Sequence, residues 1–105
     1  MTDIKPKNPI PISSVRVIGR TVRVIPWSFD DADQSQDGEW SDRDGTIKVG
    51  THLDPDTFRE VLLHEIIHAV ESRLGMSLRE NQVVALGVGL DLVFQENPEL
   101  LRLYG

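Results

Sequence analysis

Leu63-His64-Glu65-Ile66-Ile67-His68-Ala69 is the stretch that decides how this chain folds, and it contains the pattern His-Glu-x-x-His. Each residue of an α-helix advances by about 100°, so residues four apart lie on one face, one turn from each other. His64 and His68 therefore have the spacing at which two imidazoles bind one zinc ion. Glu65 lies about 100° round from His64. It can therefore take a proton from a zinc-activated water without ligating the metal.

The residues around this pattern indicate a helix that is largely buried. Five apolar side chains fall in one arc of about 100°, which is typical of a core face, namely Leu63, Ile66, Ile67, Val70 and Leu74. His64, Glu65 and His68 share a second arc with Val61. Two histidines and a glutamate in a buried setting are costly unless they serve one common purpose. The sequence therefore predicts a metal site here and not a solvated charged face.

Composition limits the kind of protein and the kind of metal site. The chain has 105 residues, 39% of them hydrophobic, which is enough for one compact core. It has no cysteine, so any zinc must be bound by histidine and carboxylate. The net charge of −6 disfavours nonspecific binding to nucleic acid.

No stretch has the length or apolarity of a signal peptide or a membrane span. A cytoplasmic protein without a membrane partner is the expectation, in the host cytoplasm if the chain is phage-encoded. Its oligomeric state is left open by the sequence.

We expect an extended N-terminal arm over residues 1–13 and a single domain over residues 14–105. Alternation and β-branched composition predict strands at residues 15–18, 21–25, 39–41 and 46–49. Gly19-Arg20 is a candidate turn between the first two strands, or a bulge in one longer strand, and Pro26 should end the pattern.

The segment 28–45 is rich in acidic residues, so a calcium loop has to be weighed. Asp42-Arg43-Asp44-Gly45 matches only part of the EF-hand pattern and lacks its distal glutamate. A hairpin turn between two strands is the favoured interpretation of these four residues.

Two helices are predicted after the strands. Asp54 is a good N-cap, Pro55 suits the first helical position, and the helix should run to about Leu74 before Gly75. A second helix opens at Ser77 and ends near Gln95, with a short helix over residues 98–104 packed through its leucines. The expected apolar face of the second helix consists of Val83, Leu86, Leu90, Val93 and Phe94. Its glycines, Gly87 and Gly89, are best explained by close approach to the first helix.

Two histidines do not complete a catalytic zinc site, which usually has three protein ligands. Glu80 is the best third candidate, because the short connection after Gly75 folds the second helix back against the first. The alternative is that Ser77-x-x-Glu80 forms a capping box and Glu80 only bonds backbone. Glu71 is the main rival of Glu80 as third ligand, but we expect it to lie beside the site or at the surface without reaching the metal. Asp91 lies about three helical turns from Glu80, too far to bind the same ion. His52 is expected to be a loop residue.

These features resemble the zincin metallopeptidases, in particular the small phage and bacterial HExxH proteins, and distantly the ImmA/IrrE group. The matching segments are residues 45–49, 58–69 and 78–80, with Val83 and Leu86. The resemblance implies an α+β domain in which a small twisted sheet packs on the HExxH helix and on a second helix bearing a glutamate. It also implies zinc-dependent hydrolysis of a peptide or protein substrate. The third histidine of metzincins and SprT-like proteins is absent, since no histidine follows His68.

The favoured function is therefore a zinc metallopeptidase with His64, His68 and Glu80 as ligands and Glu65 as general base. The alternatives are a zinc-binding accessory or interaction protein without turnover, for instance one encoded by a phage, and a metal-free interaction module. Residues 46–50, with an outward Lys48, are expected to form an edge strand, which either holds the substrate or is a protected edge without a guest.

Overall fold

Four strands form one mixed sheet in a computed structural model that describes residues 12–28 and 37–105. The first of two helices packs on this sheet and the second packs on the first helix, so the expectation that the sheet packs on both helices is wrong. The strands are β1 (Ser14–Val17), β2 (Arg20–Trp27), β3 (Gly38–Ser41) and β4 (Thr46–Gly50), in the spatial order β1-β2-β4-β3. The helices are α1 (Pro55–Leu74) and α2 (Glu80–Glu96), followed by a 3₁₀ turn (Leu101–Tyr104). The α+β class predicted from the sequence is confirmed. Nearly all of the predicted N-terminal arm lies outside the described residues.

The hairpin of β1 and β2 turns on two residues in the left-handed region, Ile18 (φ 49°) and Gly19 (φ 82°). Val17 pairs with Arg20, so the loop has two residues, and the predicted turn at Gly19-Arg20 was placed one residue late. Positive φ at both central positions matches the right-handed twist of the flanking strands. A β-branched residue at the first of them is uncommon, since its Cβ crowds the backbone there.

Strand β2 continues through Pro26, which was wrongly expected to end it. Pairing with β1 stops at Arg23, whereas parallel pairing with β4 continues to Trp27. Proline is tolerated where the strand has a partner on one side only, because its missing N–H then costs no ladder hydrogen bond.

The prediction that residues 46–50 form an edge strand is also wrong. Strand β4 is central, parallel to β2 on one side and antiparallel to β3 on the other. Ile47 and Val49 are completely buried, so the strand is hidden on both flanks and on its core face. In the described part of the chain, the strand that ends the sheet on this side is β3.

Helix α1 has the predicted ends. The Asp54 carboxylate accepts a hydrogen bond from the Thr57 N–H (2.8 Å), and Gly75 closes the helix in the left-handed conformation (φ 66°). Its sheet-facing side packs Phe58, Ile66 and Val70 on the strand core. The core comprises Val17, Val22, Val24, Ile47, Val49, Leu53, Phe58 and Ala69. Leu74, predicted to belong to the core face of this helix, is 56% exposed.

Helix α2 begins later than predicted, and this changes how Glu80 is interpreted. Arg79 is the N-cap residue, and the Gln82 side chain accepts a hydrogen bond from the Arg79 N–H (2.9 Å). The proposed capping box of Ser77 and Glu80 is therefore wrong, and the cap does not use the Glu80 carboxylate.

The packing of α2 also differs from the predicted apolar face. Only Val83, Gly87 and Asp91 are buried in this helix, while Leu86, Leu90 and Val93 are exposed. The close approach predicted for Gly87 is confirmed, since a Cβ there would lie 3.7 Å from the His64 Cα. Gly89 has no such neighbour.

The leucines of the terminal turn are not packed as expected, with Leu101 54% and Leu103 79% exposed. No helix in the described part of the chain is long and apolar enough to cross a membrane.

Gly38 is the position where β3 meets α1 most tightly. A Cβ at this residue would lie 2.6 Å from the Val61 Cγ1 and 3.1 Å from the Lys48 carbonyl oxygen. We expect Gly38→Ala to destabilise the fold by about 1–3 kcal/mol, since strand and helix must separate. Gly87→Ala is the control, because its Cβ makes only ordinary contacts and helix propensity improves by about 0.5–1 kcal/mol. Urea unfolding measures both changes, and equal stability of the two variants would contradict the packing described.

Candidate metal centre

His64 and His68 project from one side of α1, as their spacing predicts. Their ring centroids are 5.0 Å apart with the planes inclined at 68°. One nitrogen of each ring and one carboxylate oxygen of Glu65 all lie within 4.8 Å of one another. Within the described residues this is the group of side chains arranged to hold a metal ion.

Glu80 faces both histidines from the first residue of α2. Its Oε1 lies 2.8 Å from the His64 Nε2, and its Oε2 lies 3.3 Å from the His68 Nε2. The carboxylate therefore spans the two imidazoles, on the same ring nitrogens that would ligate a metal. The structure brings together all three residues proposed as ligands from the sequence.

Glu65 lies beside the two histidines and is 8% exposed. Burial raises the pKa of the Glu65 carboxyl above its ordinary value, while the neighbouring His64 and His68 act in the opposite direction. The backbone of Trp40 in β3 hydrogen bonds to the same carboxylate. Glu65 is thus fixed between the helix and the sheet edge, and its side chain is held at the site by a group from another element.

Glu71 holds the site from behind. Its Oε1 lies 2.8 Å from the His68 Nδ1, and its Oε2 accepts a hydrogen bond from the Leu78 N–H at 2.7 Å. The first contact favours a proton on the His68 Nδ1, which donates to Glu71 and leaves the Nε2 available as a metal ligand. The second contact fixes the segment that leads into α2. The supporting role expected from the sequence fits this position.

Helix α1, helix α2 and strand β3 enclose an open groove of about 620 Å³ above the histidines. Strand β3 forms one wall and α2 the other, with Glu65, His64 and His68 on the floor. Residues from the two walls are Asp37, Gly38, Glu39, Trp40, Glu80, Val84, Gly87 and Val88. Sequence reasoning did not place Trp40 or Gly38 at the site, because only the tertiary packing of β3 on α1 brings them there. The one signal available was a glycine at the start of a predicted strand.

Other candidate residues lie outside this group. His52 is in the loop before α1, with its Nε2 3.3 Å from the Asp37 Oδ1. Asp91 is 2% exposed and pairs with the Arg59 Nε at 2.6 Å. Asp42, weighed as a calcium ligand, accepts hydrogen bonds from Ser72 and Arg20, which lower its pKa.

Comparison with known proteins identifies no relative. No family model, curated protein or solved structure matches the chain. The site is therefore interpreted from its own geometry.

Replacing Glu71 tests the support given to His68. We expect Glu71→Ala to lower zinc affinity by about 10–100-fold, since losing such a partner frees the ligand ring. Glu71→Gln retains the shape of the side chain and one acceptor oxygen, so a smaller loss is expected. Competition with a chromophoric zinc chelator measures both affinities. Unchanged affinity in the folded Ala variant would show that Glu71 only anchors the connection at Leu78.

Proposed function

We propose that this protein is a zinc-dependent metallopeptidase. The observation that carries the proposal is the Glu80 carboxylate spanning the Nε2 atoms of His64 and His68, with the buried Glu65 beside them. Two imidazoles and one carboxylate leave an open position, which is the composition of a catalytic zinc site. A structural zinc site would instead be closed by a fourth protein ligand.

The donor set fits zinc better than it fits calcium or magnesium. Those harder cations prefer oxygen ligands, whereas imidazole nitrogen suits zinc and its neighbours in the transition series. The supporting bond from Glu71 to the His68 Nδ1 is the arrangement that metal-ligating histidines usually have. His64, His68 and Glu80 would hold the ion.

When bound, zinc would supply the Lewis acidity that activates water and polarises a scissile carbonyl. Glu65 would take the proton of the attacking water and deliver it to the leaving amine. Burial raises the pKa of Glu65 above its ordinary value, which is the direction that favours a carboxylate that both accepts and returns a proton. The hydrogen bond from the Trp40 backbone would keep this carboxylate aimed into the groove.

A peptide substrate would lie along β3 and not along β4 as the sequence suggested. Strand β3 borders the groove and forms the sheet edge in the described residues, so an extended peptide could add to it. Trp40 of this strand lines the groove, and the Arg20 Cζ lies over its ring, 5.6 Å from the ring centroid.

The first test is metal content. We expect about one zinc ion per chain in protein purified without added metal, and loss of zinc in His64→Ala and His68→Ala. Glu80→Gln should weaken zinc binding, because it replaces a charged ligand with a neutral one. His52→Ala is the matched control and should keep its zinc. Elemental analysis with circular dichroism decides, and full zinc affinity in folded Glu80→Gln would remove Glu80 from the ligand set.

The second test separates chemistry from binding. Glu65→Gln should keep the zinc and the fold but lose peptide hydrolysis by about 10²–10⁴-fold, since a general base contributes that much. Glu99→Gln, an exposed carboxylate far along the chain, is the control and should hydrolyse normally. Cleavage of a mixed peptide library, followed by mass spectrometry, measures turnover. Loss of zinc in Glu65→Gln would show that Glu65 is a ligand.

The third test locates the substrate. The chain has two tryptophans, Trp40 in the groove wall and Trp27 at the end of β2. In zinc-loaded Glu65→Gln, we expect peptide binding to change the emission of Trp40 in a Trp27→Phe background. Trp27 should not respond in a Trp40→Phe background, since Trp27 does not line the groove. A response from Trp27 alone would place the peptide elsewhere on the sheet.

A second candidate function is a zinc-stabilised binding protein without turnover. The observation that favours it is the narrow contact of α2 with α1, whose buried positions are Val83, Gly87 and Asp91. A metal held by Glu80 and both histidines would tie the two helices together whether or not hydrolysis occurs. Zinc-loaded protein that cleaves no library peptide, and whose melting temperature falls on chelation, would support this function instead.

A further inference from the structure

Helix α2 packs on α1 along a stripe of three buried residues, Val83, Gly87 and Asp91. Val83 is completely buried, and Gly87 lies against the backbone of His64. Asp91 is a carboxylate in this otherwise apolar stripe, and it is almost completely buried. An aspartate is rarely buried in this way unless it is paired. The metal site proposed above does not use Asp91, so its burial calls for another explanation.

Both oxygens of the Asp91 carboxylate have partners. Its Oδ1 accepts a hydrogen bond from the Arg59 Nε of α1, and its Oδ2 accepts one from the Gln95 side chain, both at 2.6 Å. Arg59 remains half exposed, and its Nη1 also lies 3.4 Å from the Asp56 Oδ1. A buried ion pair adds little net stability compared with apolar side chains, because its charges lose their hydration. It does restrict geometry, since sliding one helix along the other would leave a buried carboxylate unpaired.

Glu80 and Asp91 attach one face of α2 to different parts of α1. Asp91 follows Glu80 by eleven residues, which is about three turns and about 16 Å along the helix. Their partners are about 140° apart around α1, since Arg59 precedes His64 by five residues. Helix α2 therefore runs obliquely over α1, with one polar contact at its first residue and one near its C-terminal end. Two such contacts fix both how far α2 slides and the angle at which it crosses.

The Glu80 carboxylate depends on this placement of the helix. Its side chain is 66% exposed, so local packing does not hold the carboxylate at the two imidazoles. Glu80 is the first residue of α2, so any slide or tilt of the helix moves it directly. Val83 and Gly87 do not prevent such movement, because an aliphatic side chain and a glycine make contacts without a fixed direction.

We propose that Asp91 and Arg59 are positioning residues for the metal site. Their pair sets the slide and the crossing angle of α2 on α1, and it thereby places the Glu80 carboxylate on the Nε2 atoms of His64 and His68. This role rests on the zinc site of the proposed function, and it reaches the metal only through Glu80. The alternative is a pair that only stabilises the packing of the two helices.

Replacing the pair with apolar side chains separates these two roles. We expect Arg59→Met/Asp91→Leu to unfold at the same or a higher urea concentration than wild type, since exchanging a buried ion pair for apolar residues costs little stability. Its zinc affinity should nevertheless fall by about tenfold, the low end of the loss that follows when a ligand loses its support. Asp56→Asn is the control, because Asp56 contacts Arg59 from the solvent side, and it should change neither quantity. A zinc affinity that follows stability would overturn the positioning role.

The effect must also pass through Glu80. The apolar pair should cost about tenfold in zinc affinity when Glu80 is present, and less than about twofold in a Glu80→Gln background. An equal loss in both backgrounds would overturn the proposal, since the pair would then act on the histidines or on the whole fold. If the apolar pair does not fold, Asp91→Asn takes its place in this comparison, with the same pattern expected at smaller size.

The placement of Glu80 can also be measured without metal, which separates a failure of this role from a failure of the zinc site. In chelator-treated protein, NMR should show nuclear Overhauser contacts from the Glu80 side chain to the two histidine rings. We expect these contacts in wild type and in Asp56→Asn, and their loss in Arg59→Met/Asp91→Leu. Their absence from wild type, or their persistence in the apolar variant, would overturn the proposal whether or not the protein binds zinc.

Discussion

The contact of one carboxylate with two imidazoles joins the parts of the site. Glu80 spans the Nε2 atoms of His64 and His68, and it does so from the first residue of α2. Its position depends on the turn after α1, which Gly75 allows through its left-handed backbone and which Glu71 fixes by accepting the Leu78 N–H. Glu71 also contacts His68. One side chain therefore sets both the ring of a histidine and the path of the chain to the residue that faces it.

The second constraint is the contact between α1 and β3. Gly38 lets the strand lie against Val61, and the Trp40 backbone then reaches the Glu65 carboxylate. Without this contact the groove would have one wall, and Glu65 would be a solvated surface residue. Burial raises the pKa of Glu65, and the Trp40 backbone holds its carboxylate at the site. The fold thus supplies Glu65 with its environment, while the helix supplies its position beside the histidines.

The helix that carries Glu80 is less supported than α1. It packs on α1 through a stripe of three buried positions, and most of its other residues are exposed. A metal bound by Glu80 and the two histidines would tie the first turn of this helix to α1.

The sequence by itself determined the elements that have strong local signals. Helical spacing placed His64 and His68 on one face, Asp54 and Gly75 marked the ends of α1, and the turn at residues 42–45 marked a hairpin. These depend on contacts within a few residues, so they can be inferred from a short window. The supporting position of Glu71 followed in the same way, from its spacing after His68.

Only the tertiary structure decided which strand lies at the edge and which residues wall the groove. Strand β4 looks like an edge strand in sequence, but parallel pairing with β2 places it at the centre of the sheet, because strand order depends on pairing between distant segments. The start of α2 at Glu80 likewise depends on the Gln82 side chain, which accepts the Arg79 N–H, whereas the sequence had indicated a cap at Ser77. Leu86, Leu90 and Val93 have the pattern of a buried face, yet α1 meets α2 along another stripe. Local pattern states that a face is apolar, and only the packed chain decides what that face contacts.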